Sequence, residues 1–367
     1  MVRAALRDLQ WRRLRFAIAV AATALVFAVS LLLSGVAASF GRETDRTLRA
    51  VGADVWLVRD GVPGPFTTLV PLRASWAEQL TGPGIERADP LLVVHQTTRR
   101  LTSSGRPRPG EKFRDITLFG VVRDGLGSPV VTEGRPIGQG TDAVVDERLG
   151  YRLGETFGVG SQIFTVVGRT RNATMFAGLP NVYVDLGSAQ HLFAGARDGD
   201  VANAIVVRGT VQPPVLVADA AGGLSLSILT VRDVKADVLR PLANARGTID
   251  QVRLMLWVIA GCIVASVVYI TALERSRDFA VFKATGVSNT GILAGLFVQS
   301  VVLALTAGVL AVGLALVLVP VFPVPVAIPA PAYASLAGLA LAVGALASLA
   351  GLRRVVRTDP AMAFAGP

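Results

Sequence analysis

Three stretches without a charged side chain decide most of what this chain can fold into. Residues 16–41, 254–273 and 284–352 are 26, 20 and 69 residues long and hold no Asp, Glu, Lys or Arg. About 20 apolar residues cross ~30 Å of hydrocarbon as a helix, so the first two stretches each fit one span, the first with some tilt. The third is too long for one helix. Its middle is crowded by Pro320, Pro323, Pro325, Pro329 and Pro331, a density that no helix interior tolerates. It reads as a third span near 290–319, a proline-rich connection, and a fourth span near 332–352. Helices follow because backbone exposed to lipid must satisfy its hydrogen bonds within the segment. Val36-Ala37-Ala38 resembles a leader-peptidase site, but a signal h-region is roughly 7–15 residues and this run is far longer, so it reads as a retained span.

Charge sets the orientation. The chain carries a net +10, which on a polar protein would point to nucleic acid. Here 52% of residues are hydrophobic and 17% charged, against roughly 25% charged in soluble domains. The first fifteen residues, the loop 274–290 and the tail after 352 total 47 residues, with 11 basic and four acidic side chains, or +7. The segment 42–253 holds 25 basic and 22 acidic residues, or +3. With four spans the three basic segments share one side, which the positive-inside rule makes cytoplasmic. Both termini are then cytoplasmic and 42–253 is extracytoplasmic. The basic balance is a topology signal, and nucleic acid drops out as a partner.

The large segment has the size of one or two small domains. Strand-like runs fall at 54–58, 91–98, 116–122, 143–145, 163–167, 182–184 and 204–207, with short helical candidates at 74–80, 146–151 and 188–193. The fold class is therefore an α-helical membrane protein with four transmembrane helices plus an α+β extracytoplasmic domain inserted between the first and second. Residues 103–112 form a polar, turn-rich loop expected to be mobile. Both edges of the domain look like stalks continuing the membrane helices. Phe40, Thr44, Leu48 and Val51 recur at helical spacing after the first span; Val234, Val238, Leu242, Ile249 and Val252 do so before the second. Pro241 allows only a kinked or interrupted helix there. Two readings stay open: stalks that pack together and carry movement, or surface helices that pack on their own domain.

No phosphate-binding G-x-x-x-x-G-K-[ST] occurs, and no H-E-x-x-H or G-x-S-x-G. The one cysteine, Cys262, excludes intrachain disulfides and cysteine-built metal sites. His95 and His191 read as surface or satisfied polar residues, and Asp142, Asp146, Glu147 and Glu155 as solvated turn carboxylates. The chain reads as non-catalytic.

The informative segment is 274–288. Phe279, Val281 and Phe282 interleave with Arg277, Asp278 and Lys283, which gives a short amphipathic helix on the cytoplasmic face; an interfacial anchor is the alternative role. Gly286 supplies the positive φ that ends it, and Ser288 or Asn289 caps the next helix. This segment resembles the FtsX-like permease family, the membrane subunits of MacB-type (type VII) ABC transporters. Arg277-Asp278-Phe279-Ala280-Val281-Phe282-Lys283-Ala284-Thr285-Gly286 matches the family's pattern after the second span. The tail Arg353-Arg354-Val355-Val356-Arg357-Thr358-Asp359-Pro360-Ala361 resembles its closing motif. Residues 143–157 and Phe164-Thr165-Val166-Val167-Gly168 look like the MacB-like periplasmic core. The order of one span, a domain and three spans also matches, so the resemblance covers essentially the whole chain. The chain departs from the family at Gln299, where an acidic residue is common. A neutral amide keeps a hydrogen-bonding group in the membrane without the cost of a charge. Gly291-x-x-x-Gly295, and Ser30, Ser34 and Ala38, offer close helix contacts inside the chain or between copies.

The resemblance implies residues 1–15 as cytoplasmic N-terminus, spans at 16–41, 254–273, 290–319 and 332–352, an extracytoplasmic domain with stalks at 42–253, a coupling helix at 274–289, an external loop at 320–331 and a cytoplasmic tail at 353–367. It implies a permease homodimer, or a heterodimer with a paralogue, in contact with membrane lipid in a bacterial cytoplasmic membrane. A separate ABC ATPase subunit would bind ATP and Mg, with no cofactor in this chain. Glu274, Arg277, Asp278, Phe279, Phe282, Lys283 and Gly286 would form the ATPase-coupling site. The expected function is export or membrane extraction of an amphipathic substrate. Alternatives are activation of an extracytoplasmic cell-wall hydrolase, and adhesion or sensing without an ATPase.

Overall fold

The first apolar run does not end its helix at residue 41: helix α1 spans Arg13–Val51. The computed structural model describes residues 13–102, 104–194, 199–213, 215–219, 222–322 and 326–357. Arg3, Arg7, Arg12, Ser103, Pro323, Pro325 and the closing Thr358-Asp359-Pro360-Ala361 lie outside the described residues. The chain divides into a membrane unit, 1–39 with 245–367, and an inserted unit, 40–244.

Four helices among the described residues are long and apolar enough to cross a membrane. Besides α1, these are Val231–Glu274, Asn289–Leu318 and Ala330–Arg357, which become α4, α6 and α7 in chain order. Pro331 sits in the first turn of α7, where its missing N–H costs nothing. Inside the membrane unit, α6 and α7 pack so closely that a Cβ on Gly344 would lie 2.9 Å from the Val301 Cα. Ser300 Oγ donates to the Gly344 carbonyl at 2.7 Å, and Ala304, Ala307, Ala311 and Ala340 are all buried in the same core. Small side chains let these backbones approach, which is how apolar helices associate where lipid is as apolar as Leu. Gly35 serves α1 likewise: its added Cβ would meet Val326 at 2.5 Å, and Ala327 N–H reaches its carbonyl at 3.3 Å. By contrast, an added Cβ on Gly295 meets nothing within 4 Å and one on Gly291 meets only Val287 and Ser288 next to it, so the Gly291-x-x-x-Gly295 face makes no close helix contact within the described residues.

The inserted unit holds one twelve-stranded sheet among the described residues. Its strands are β1 Val55–Arg59, β2 Ile85–Arg100, β3 Arg114–Val121, β4 Glu133–Gly134, β5 Asp142–Asp146 and β6 Thr156–Val159. They continue with β7 Gln162–Thr170, β8 Thr174–Met175, β9 Leu179–Asp185, β10 Ala204–Gly209, β11 Val215–Asp219 and β12 Gly222–Thr230. Two helices belong to the same unit: α2, a single turn at Trp76–Gln79, and α3 at Leu186–Ala194. The order is β11-β12-β1-β10-β2-β3-β9-β5-β7-β4, with β6 joining β2 and β7, and β8 joining β9.

The long strand β2 makes two half-sheets one. Ile85–Leu91 pairs with β10, Leu92–Thr98 pairs with β3, and the end of the strand pairs with β6. Pro90, which has no N–H to give, stands where the neighbour changes. Asn203 completes the join: its Oδ1 accepts from Val93 N–H at 2.9 Å and its Nδ2 donates to the Val93 carbonyl at 2.8 Å. Buried backbone groups that β10 no longer reaches are thereby satisfied.

Alternation along the strands buries both faces. Trp56, Phe119, Tyr183 and Val206 share one core; Leu118, Val182 and Val184 lie in a second, and Leu57, Ile205 and Val207 in a third. The first core is closed by Leu48 and Val51 of α1 and by Val234 and Val238 of α4. Both parts of the stalk expectation concerning packing are met: the helices pack on the domain, and they also meet each other through an ion pair, Lys235 Nζ to Asp45 Oδ1 at 2.5 Å. The periodic burial ends after Val238, since Leu242 and Ile249 are half-buried and Val252 is exposed. Helix α4 runs through Pro241 without interruption, although Pro241 has no N–H for the Asp237 carbonyl. The loop after β2 is also tied down. Thr102 Oγ1 accepts from Arg106 N–H at 3.2 Å, and Leu101 bridges to Pro107.

Candidate functional site

In the membrane unit, α4 gives way to a nine-residue helix, α5, at Ser276–Ala284. The junction is Arg275, whose N–H still bonds the Thr271 carbonyl at 3.1 Å while its own carbonyl starts the new helix from Phe279 N–H at 2.9 Å. The Arg275 guanidinium lies 5.7 Å above the Phe279 ring, with its Nε 3.4 Å from Asp278 Oδ2. One residue earlier, Glu274 accepts from Arg15 Nη1 of α1 at 2.6 Å. This pair ties the end of α4 to the start of α1.

Helix α5 is two-faced. Phe279 is 4% exposed and Ala280 is buried, both turned inward, with Phe282 and Val287 half-buried against the core of the membrane unit. Arg277, Asp278, Val281, Ala284 and Thr285 are exposed, which at that spacing is one helix face. Of the residues expected to touch an ATPase, Glu274, Arg277 and Asp278 face outward. Phe279 and Phe282 instead anchor the helix, and Lys283 is half-buried. The large apolar residue exposed on this helix is Val281, which 3.6-residue periodicity assigns to the charged face once Phe279 is inward. Arg15 carries no signal in the sequence, because its partner is 259 residues away.

The stop is a Schellman motif. Gly286 takes φ +87°, its N–H bonds the Lys283 carbonyl at 3.0 Å, and Val287 N–H bonds the Phe282 carbonyl at 2.9 Å. Ser288 then caps α6, accepting from Gly291 N–H at 3.2 Å. Two turns, one Gly and one Ser fix the orientation of α5 between two spans. Gln299 is 7% exposed on the buried face of α6, in line with Leu296, Ser300 and Leu303.

In the inserted unit, two buried carboxylates fasten the helices to the sheet. Glu43 of α1 accepts from Thr174 Oγ1 at 3.1 Å and Gly178 N–H at 3.0 Å. Asp237 of α4, fully buried, accepts from Phe66 N–H at 3.0 Å, from Thr67 N–H at 3.3 Å and from the Thr67 hydroxyl. A Cβ on Gly64 would collide with this carboxylate.

The remaining acidic cluster is structural and does not converge. Asp142 pairs with Arg135 at 2.5 Å, Glu147 with Arg171 at 3.2 Å, and Glu155 with Arg108 at 3.3 Å. Asp146, expected in solvent, is fully buried; it accepts from Arg148 N–H at 3.0 Å and Ala173 N–H at 2.7 Å. Burial pushes its carboxyl above the usual range, against the pull of those hydrogen bonds. His95 packs its ring on Phe176 at 4.6 Å.

Four spanning helices, an α+β domain between the first two, and a two-faced helix between the second and third define a membrane permease subunit. The FtsX-like permease C-terminal family matches residues 252–360. An uncharacterised ABC transporter permease of Mycobacterium bovis is 39% identical over the full length of both chains, and so is one of Mycobacterium tuberculosis. A second M. tuberculosis permease is 38% identical, again over both full lengths. The periplasmic region of MacB from Actinobacillus actinomycetemcomitans aligns with a TM-score of 0.36 and 15% identity, covering 53% of this chain and 97% of that one. The chain belongs to the FtsX-like family of ABC transporter permeases.

Proposed function

We propose that this permease couples ATP hydrolysis on a separate ATPase subunit to export or membrane extraction of an amphipathic substrate, by passing motion to its extracytoplasmic domain. The observation that carries the reading is the course of α1 and α4. Each runs as one helix from an apolar span into the inserted unit, where Leu48, Val51, Val234 and Val238 enter the core of the sheet. Burying each such side chain is worth about 1.5–3 kcal/mol, so these helix ends are held and do not slide over the domain. Glu43 and Asp237 add directional fasteners.

In this reading the exposed face of α5, with Arg277, Asp278 and Val281, rests in a groove of the ATPase. Glu274 contributes beside its bond to Arg15, while Phe279, Phe282, Lys283 and Gly286 position the helix. ATP and Mg belong to the partner. Two permease copies pair with two ATPases, with both termini cytoplasmic. Only four spans per chain leave little room for a wide aqueous channel, which favours mechanical work on a membrane-resident substrate.

The test is charge reversal on α5. Asp278→Lys combined with Lys283→Glu, in permease reconstituted with its ATPase, is expected to abolish complex formation and substrate-stimulated hydrolysis. Intact binding and stimulation would remove the coupling role from α5. If loss of the gene produced wall or division defects with unchanged efflux, activation of a cell-wall hydrolase would replace transport as the output.

A further inference from the structure

Between α4 and α7, within the membrane unit, lies an open groove of about 360 Å³. Trp257, Cys262, Ala265, Leu339, Val343 and Leu346 are among its walls, and no charged side chain lines it. Gly261 lies on the α4 wall, and an added Cβ there would meet nothing within 4 Å. Gly261 therefore leaves open space along that wall, which a larger side chain would fill.

A charge lies next to the groove, over the Trp257 wall. Trp257 is fixed by its Nε1, which donates to Ser30 Oγ of α1 at 2.9 Å, so its polar edge is engaged and its ring face is left for other contacts. The Arg253 guanidinium stacks over that face at 5.3 Å. Its Nη1 bonds Asp250 at 3.0 Å. Asp250 is two-thirds exposed, and a surface pair of this kind holds a cation weakly. An apolar slot walled in part by Trp257, with the Arg253 guanidinium over that ring and held by an exposed carboxylate, matches an acyl chain joined to an anionic headgroup.

We propose that this groove is a binding site for one acyl chain of an anionic phospholipid, with the lipid phosphate bonded to Arg253. The site depends on the spans alone and is independent of the transport role. It lies on the side of the membrane from which α4 enters, because Arg253 immediately precedes the apolar run 254–273. Arg253 supplies the headgroup preference, and the space beside Gly261 supplies the affinity for the chain.

Native mass spectrometry of the full-length permease, released from bilayers holding equal amounts of phosphatidylglycerol and phosphatidylcholine, tests the assignment. Wild type is expected to retain one phosphatidylglycerol at least fivefold over phosphatidylcholine. Arg253→Gln should bring the two lipids to parity while keeping total retention. Gly261→Leu, which fills the slot and favours the helix, should remove the retained lipid of either kind. No preference in wild type, or Gly261→Leu retaining lipid as wild type does, would overturn the proposal. A change in oligomeric state by Gly261→Leu with unchanged lipid retention would assign the groove to a second copy of the chain and equally overturn it.

Discussion

Gly286 is placed by need: its φ of +87° lies in the region where an L side chain costs roughly 1–2 kcal/mol, and no neighbour stands within 4 Å of an added Cβ. The penalty of Gly286→Ala is therefore conformational and not steric. The expected result is faster amide exchange at Gly286 and Val287, whose N–H groups close the Schellman motif, with Gly286→Asn intermediate; unchanged exchange would show that the motif does not hold α5. Asp146 gives a second residue-scale test. Its folded pKa is raised above the unfolded value by burial, so the folded state holds the proton more tightly. Its linkage contribution is thus most favourable below the ordinary carboxylate pKa of about 3.9, falls as pH rises from there through the raised value, and is flat above it. Asp146→Asn should erase that slope. The amide oxygen can still accept one bond, but the second of Arg148 N–H and Ala173 N–H loses its acceptor, at a cost of about 1–3 kcal/mol in chemical unfolding near neutral pH.

At the scale of elements, the turn joining β8 to β9 is strained. Phe176, Ala177 and Gly178 have φ of 49°, 67° and 100°, a run for which only the last residue is suited. Glu43 holds this turn through Thr174 and Gly178, and Thr47 Oγ1 donates to the Thr174 carbonyl at 3.1 Å. Strain of this kind persists where surroundings over-determine the backbone. Ala177→Gly should raise the stability of the inserted domain by up to about 1 kcal/mol, and Glu43→Ala should lower it by about 1–3 kcal/mol for each donor left unpaired, both read by denaturant unfolding. A neutral outcome for Glu43→Ala would mean the helix is held by its apolar residues and the Thr47 and Asp45 contacts without this carboxylate. Nothing local announces this fastener, since Glu43 and Thr174 are 131 residues apart. The spans, by contrast, were legible because hydrocarbon admits no charge over 20 residues, and α5 because its Gly and Ser stops are local chemistry. Strand β2 was legible only from Leu91 on: its first half carries Glu86, Arg87 and Asp89, and Asp89 is tolerated at a buried position because Arg87 and Leu126 N–H satisfy it. Strands β11 and β12 were not read from the sequence at all; β12 opens on Gly222-Gly223, where pairing with β11 supplies an order that composition argues against.

For the whole molecule, the charge distribution supports the proposed orientation: seven of the ten net positive charges fall in 47 residues around the span ends, and three in residues 42–253. A flipped chain would place eleven basic residues on the trans side against the positive-inside bias. Orientation also decides function, because α5 can meet a cytoplasmic ATPase only if it and both termini share the cytoplasmic side. The single native cysteine makes this measurable. In a Cys262→Ala background, Lys112→Cys and Ala284→Cys place one exposed thiol each in the inserted domain and on α5. A membrane-impermeant maleimide is expected to label Lys112→Cys in intact cells and Ala284→Cys only after permeabilisation. The reverse pattern would put α5 outside, out of reach of any nucleotide-driven partner. It would leave the held ends of α1 and α4 with no cytoplasmic motor to move them.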